Sequence, residues 1–205
     1  RLDDPYRSLD PVREADASLP AAHEALAREA AQRSIVLLRN EGELLPLRRD
    51  ARIALVGPFA RDRDNIEGCW TLFGDKSRYV TLEAGLRAAL ADGAALEVVD
   101  GCALEAPLAG GIEAAVAAAR GADVVLLAVG EPQRYSGEAQ SRTRIVLPPA
   151  QQALAEAVAA TGTPVVVLLR NGRALALEGA VRDAPAILVT WFLGSQTGHA
   201  VADVV

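Results

Sequence analysis

Methionine is absent from the sequence of 205 residues, and cysteine and histidine occur twice each. Two cysteines are too few for a disulfide scaffold, and neither stands at metal-ligand spacing from other ligating residues. Cys69 and Cys102 both follow predicted strands and so come within reach of one another, but two free thiols is the default expectation. No Gly-rich fingerprint of the form GxGxxG or GxxxxGKS occurs, which leaves a dinucleotide or triphosphate site nothing to rest on. No apolar run approaches the ~20 residues of a membrane span, and no stretch reads as a signal peptide. A net charge of −6 argues against nucleic acid and against an anionic membrane surface. Aromatic residues are only 4% of the chain while hydrophobic residues are 51%, so the core must be built from Ala, Val and Leu. A chain of this length buries roughly 70% of its unfolded surface in one core. It starts at Arg1 without an initiator and stops in the apolar helical pattern AVADVV, and is expected to be a piece of a longer polypeptide.

What is present is organised around VVLLAVGEPQRYSGEAQSRTRIVLPP, from Val124 to Pro149. The apolar start reads as a buried parallel strand ending at Gly130. The polar stretch from Glu131 to Leu147, closed by Pro148, far exceeds the roughly 2–6 residues of an ordinary strand-to-helix connection. It carries Glu131, Glu138, Arg134, Arg142 and Arg144. Long loops at the carboxyl ends of parallel strands are where open α/β sheets place their chemistry. The alternative is a solvated loop with surface ion pairs.

The remaining chain alternates strand and helix patterns. Residues 1–19 read as an extended linker with Pro5 and Pro11. From Pro20, a helix running through SIVLL places Ala22, Leu26, Ala30 and Ser34 on one face, with His23 on the surface in its first turn. Strands follow at Ala51–Gly57 and Ala95–Gly101, with a helix between them capped by Thr81. A further helix ends at Gly121, and another opens at Pro148 and Pro149 and ends at Gly162. PVVVLLRNGRALAL then reads as a strand, a tight turn at Asn171-Gly172 and a short antiparallel strand. The last strand is set at Pro185–Gly194, before a helix. The fold class is therefore α/β: a three-layer α/β/α sandwich with a mostly parallel sheet and one antiparallel strand. A second long loop, after Gly57, offers Trp70 and Phe73 as flat surfaces that can stack on the apolar faces of sugars. The alternative for Trp70 is a place in the core.

VGE, EAQSR, LPPAQQALAEAV, PVVVLLRNGRALAL and ILVTWFLGSQTGHAVADVV, preceded by DDPYR and SIVLLRNEGELLPL, resemble the second domain of glycoside hydrolase family 3. That family comprises β-glucosidases, β-xylosidases and exo-β-glucanases. The resemblance spans nearly the whole chain and implies an arm at residues 1–19 from an N-terminal (β/α)8 barrel and a sandwich domain at 20–205. It implies a retaining exo-acting β-glucosidase, with a β-linked oligosaccharide or glucoside as substrate and no cofactor or metal. Two carboxyl groups are needed, one on each side of the scissile bond. Glu138 stands where the motif EAxSR carries the acid/base, in the small context of Ser136, Gly137 and Ala139. Glu131 is expected to be a structural carboxylate paired with Arg142 or Arg144. A Trp in the matching GCWT-like segment forms part of the family's active-site mouth, which makes Trp70 the candidate for the distal sugar position, with Phe73 and Arg142 as further candidate substrate-binding residues. The nucleophile, an aspartate in a Ser-Asp-Trp segment of the barrel, has no counterpart here. Gln196 replaces a common Glu in the GSQTG turn. A periplasmic or secreted location is implied, and a homo-oligomer is left open. A β-xylosidase, or a non-catalytic carbohydrate-binding or assembly domain, are the competing expectations.

Overall fold

A computed structural model describes residues 10–18 and 20–205. Six strands form one sheet in the order β1-β6-β5-β4-β2-β3: β1 Val36–Asn40, β2 Ile53–Val56, β3 Leu96–Val99, β4 Val124–Gly130, β5 Val165–Arg170 and β6 Ala186–Val189. All neighbours are parallel except β1, which runs antiparallel to β6. Seven helices accompany the sheet among the described residues: α1 Pro11–Ala17, α2 Ala21–Ser34, α3 Leu82–Ala89, α4 Gly111–Gly121, α5 Pro149–Ala159, α6 Gly179–Asp183 and α7 Thr197–Val204.

The sandwich follows from strands buried on both faces. In β4, Val125, Leu127 and Val129 pack with α4, α5 and α6. Val124, Leu126 and Ala128 alternate with them and pack with α3 and α7 on the other side. The small alanines Ala115, Ala118 and Ala119 let α4 lie close to the sheet. Gly85 of α3 and Gly198 of α7 permit a similar approach between helices. A Cβ on Gly85 would stand 2.0 Å from the Gly198 carbonyl, and one on Gly198 would stand 1.9 Å from the Thr81 oxygen.

Three features differ from the sequence reading. First, α2 stops at Ser34, and the β-branched Ile35 and Val36 turn into the edge strand β1. The antiparallel strand exists, but it is β1 and not the segment after Asn171-Gly172. That segment joins no ladder, because β5 already has β4 on one side and β6 on the other. Instead Asn171 Nδ2 donates to the Arg173 carbonyl at 2.6 Å, a local turn, and Leu175 and Leu177 pack on the core.

Second, the expected inner face of α2 points outward, with Leu26 63% exposed. The face carrying Glu24, Arg28 and Ala31 is turned in, drawn by hydrogen bonds of Arg28 and Gln32 to Asp203 of α7 and of Arg78 to Glu24. Third, the expected linker is helical at Pro11–Ala17, where Asp10 accepts from the Val12 amide at 2.9 Å and Pro11 occupies the first turn. The rest of the expected arm, residues 1–9 and 19, lies outside the described residues. Cys69 and Cys102 are both free thiols; burial, with Asp100 nearby, pushes the Cys102 thiol up to about 11.

The α3–α7 crossing gives a direct test of packing. Gly85→Ala gains about 1 kcal/mol of helix propensity but forces a methyl group into the Gly198 backbone. Overpacking of this kind costs about 1–3 kcal/mol, so the variant should unfold at lower urea concentration than the parent. An unchanged or raised midpoint would show that the helices can separate freely.

Candidate active-site edge

The carboxyl ends of β2, β4, β5 and β6 feed four loops that meet at one edge of the sheet. A cleft of about 350 Å³ opens there between Trp70, Ser136, Gly137, Asn171 and Phe192. Residues from all four loops line it. A second, broader hollow of about 870 Å³ lies beside it under Leu72 and Phe73, and Glu67 borders both.

A buried charge fixes this arrangement. Arg170 ends the otherwise apolar β5 and is only 3% exposed. Its Nη1 donates to Asp62 Oδ2 at 2.8 Å, and its guanidinium lies over the Phe59 ring at 4.7 Å. Burial lowers the Arg170 pKa to about 10, with Asp62 opposing the shift. Asp62 also accepts from Asn65, through the backbone amide at 2.9 Å and through Nδ2 at 2.8 Å. Asn65 Oδ1 in turn accepts from the Gln133 amide at 3.0 Å, and Gln133 Oε1 accepts from the Gly68 amide at 3.1 Å. The β2 and β4 loops are thus joined by reciprocal bonds.

The start of the β4 loop is held separately. Gln151, fully buried in the first turn of α5, accepts from the Gly130 amide at 2.7 Å and donates to the Gly130 carbonyl at 3.0 Å. The next residue, Glu131, is also fully buried. Its carboxylate faces Arg142 at 3.3 Å and Arg173 at 3.5 Å, and neither oxygen makes a hydrogen bond. Desolvation therefore raises its pKa, against the opposing pull of the two arginines. Arg142 stacks on the Tyr135 ring at 3.8 Å and donates to the Arg144 carbonyl at 3.3 Å. Pairing of Glu131 with Arg142 agrees with the sequence reading. Arg173 was not foreseen as its partner, and Arg144 contributes only its backbone.

Glu138 is placed oppositely. It is exposed on a tight turn between Gly137, φ +115°, and Ala139, φ +60°. Among the described residues its side chain makes no ion pair or hydrogen bond. A Cβ on Gly137 would stand 2.9 Å from Cys69 Sγ, so the turn rests on the wall that carries Trp70. Trp70 is 70% exposed and Phe73 93%, which rules out the core position for Trp70. Glu138 and Trp70 are thus brought to one rim, with Phe73 further along the same β2 loop. Arg142 is turned inward onto Glu131 and Tyr135. Among the described residues no group of three or more His, Cys, Asp or Glu is arranged to hold a metal. Asp62, Arg170, Arg173 and Gln133 escaped the sequence reading; a lone arginine closing VVVLLR is the one local sign of a buried partner.

Residues 35–205 match the family model for the glycosyl hydrolase family 3 C-terminal domain. The chain belongs to glycoside hydrolase family 3. It is 39% identical to a periplasmic β-glucosidase of Salmonella typhimurium, covering 99% of this chain and 30% of that protein. A β-xylosidase of Formosa agariphila is 34% identical over 89% of this chain and 26% of its own length. Among solved structures, a D270A mutant β-glucosidase of Listeria innocua in complex with laminaribiose superposes with a TM-score of 0.90. It is 38% identical, covering 98% of this chain and 27% of that one. The chain thus spans less than a third of the length of these relatives, as the C-terminal α/β domain of such enzymes.

The burial of Glu131 makes a pH prediction. With its pKa raised in the folded state, the fold holds a proton that the unfolded chain releases near its ordinary value of about 4.3. Any contribution is therefore fully present below that pH and is lost as pH rises through the raised value. Glu131→Gln abolishes the titration, so its stability relative to the parent should increase as pH is raised from 4 toward 7. A difference in urea midpoint that stays flat over this range would mean that Glu131 titrates alike in both states.

Proposed function

We propose that this chain is the second domain of a retaining, exo-acting β-glucosidase and supplies Glu138 as its general acid/base. The observation that carries the reading is the contrast between the two carboxylates of one loop. Glu131 is fully buried and faces two arginines, whereas Glu138 is exposed, unpaired among the described residues, and beside the cleft wall bearing Trp70. In the retaining reaction Glu138 gives its proton to the departing glycosidic oxygen while a second carboxylate bonds to the anomeric carbon. The Glu138 carboxylate then takes a proton from water as that water displaces the enzyme carboxylate. The nucleophile is assigned to a barrel domain outside this chain, about 5–5.5 Å from the acid in the assembled site. Trp70 and Phe73 form the distal sugar platform, with Arg142 bracing the loop from within. The isolated chain should accordingly not hydrolyse an aryl β-glucoside. A periplasmic or secreted location fits the Salmonella relative.

A β-xylosidase is the second reading, favoured by the Formosa relative. Rates of the full-length protein on p-nitrophenyl glucoside and xyloside decide between them.

The role of Glu138 is tested in the full-length protein. General acid catalysis is worth about 10²–10⁴-fold, and most where the leaving group is poor. Glu138→Ala should lose about that factor on cellobiose while sparing the first step with dinitrophenyl glucoside. Azide should then rescue the slow second step and yield β-glucosyl azide. Rescue of Glu131→Ala and not of Glu138→Ala would exchange the two roles.

A further inference from the structure

The turn that presents Glu138 is strained and thinly supported from within its own loop. Ala139 adopts a left-handed φ of +60° that a non-glycine residue holds only where its surroundings impose it. Inside the turn, the Gln140 amide donates to the Gly137 carbonyl at 3.3 Å, a long bond. Beyond the packing of Gly137 on Cys69, one guanidinium bonds to the turn from outside it. Arg173, which follows the Asn171-Gly172 turn after β5, donates from Nη2 to the carbonyl of Tyr135 and, at 3.0 Å, to that of Gln140. Those carbonyls stand on the two limbs of the turn, before and after Glu138. Nε of the same group faces Glu131 Oε2 at 3.5 Å, which orients the guanidinium from behind.

We propose that Arg173 is a positioning residue for the general acid, closing the base of the turn so that Glu138 is held toward the cleft. The proposal rests on the reading of Glu138 as acid/base. It assigns the buried Glu131 a purpose as well: its charge aims Arg173 and Arg142 at the loop. Misplacement of a catalytic group by about 1 Å can cost 10²-fold. That loss should fall where proton delivery matters and be absent where it does not.

The experiment measures kcat/KM of the full-length enzyme on aryl β-glucosides of graded leaving-group acidity, for the parent, Arg173→Met, Arg173→Lys and Glu138→Ala. Arg173→Met should lose about 10²-fold on phenyl glucoside and retain dinitrophenyl glucoside activity, so that its dependence on leaving-group pKa steepens toward that of Glu138→Ala. Arg173→Lys, which still offers one nitrogen to both carbonyls, should recover part of the loss. Equal loss on every substrate, or parental behaviour, would overturn the clamp. If Arg173→Met does not fold because Glu131 is stranded, Glu131→Gln/Arg173→Met is compared with Glu131→Gln and must show the same selective steepening. Should Glu138→Ala itself lack leaving-group selectivity, the acid assignment falls and takes the clamp with it. If Glu138→Ala is selective and Arg173→Met is not, only the clamp falls.

Discussion

The pairing of Arg170 with Asp62 is the constraint on which the loop edge with the candidate site depends. A guanidinium at the end of a central parallel strand cannot reach water, and removing one member of such a pair costs about 3–5 kcal/mol. The counter-charge has to come from another loop, because Gly130, paired with Arg170 on β4, has no side chain, and β6 ends at Val189 without a charged residue. Asp62 therefore draws the β2 loop across the sheet end. Once it is there, its remaining oxygen capacity fixes Asn65, and Asn65 and Gln133 lock the β2 and β4 loops together. The wall bearing Cys69 and Trp70 and the turn bearing Glu138 are thus referred to one buried ion pair.

Burial then separates two carboxylates of the same loop. Glu131 follows directly on Gly130, whose amide and carbonyl are both held by Gln151, so its side chain is carried into the protein. There it attracts cations and organises the loop from inside. Glu138 lies on a turn whose small neighbours keep it at the surface. A buried, arginine-facing group and an exposed one come from residues of one type, separated by their depth.

Much of this was legible in the sequence wherever the signal was local or periodic. The uninterrupted apolar run of β4 marked a strand buried on both faces, and the long polar stretch after it marked a loop that lines the cleft. The family motifs singled out Glu138, which the structure leaves exposed, and of the two partners expected for Glu131, Arg142 or Arg144, it is Arg142 that faces it. Relations set by the whole sheet were not legible. Asn171-Gly172 has the chemistry of a hairpin turn, but a hairpin needs a vacant strand edge, and β5 has none. The apolar stripe of α2 through Leu26 was a fair amphipathic signal, yet hydrogen bonds of Arg28 and Gln32 to Asp203 turn that stripe outward. Asp62 and Arg170, like Arg173 and Glu131, are partners across loops, and no spacing in the chain announces them.

The central claim, that Glu138 is the carboxylate that meets the scissile bond, is tested most directly by a crystal structure. The full-length protein would be solved with an uncleaved thio-linked disaccharide bound across the cleft. The account predicts a Glu138 oxygen at the bridging atom, within the roughly 2.6–3.2 Å reach of proton transfer with allowance for the longer sulfur contact, the distal ring on Trp70, and Glu131 still buried against its arginines. A different carboxylate at the bridging atom, with Glu138 directed to solvent, would contradict it.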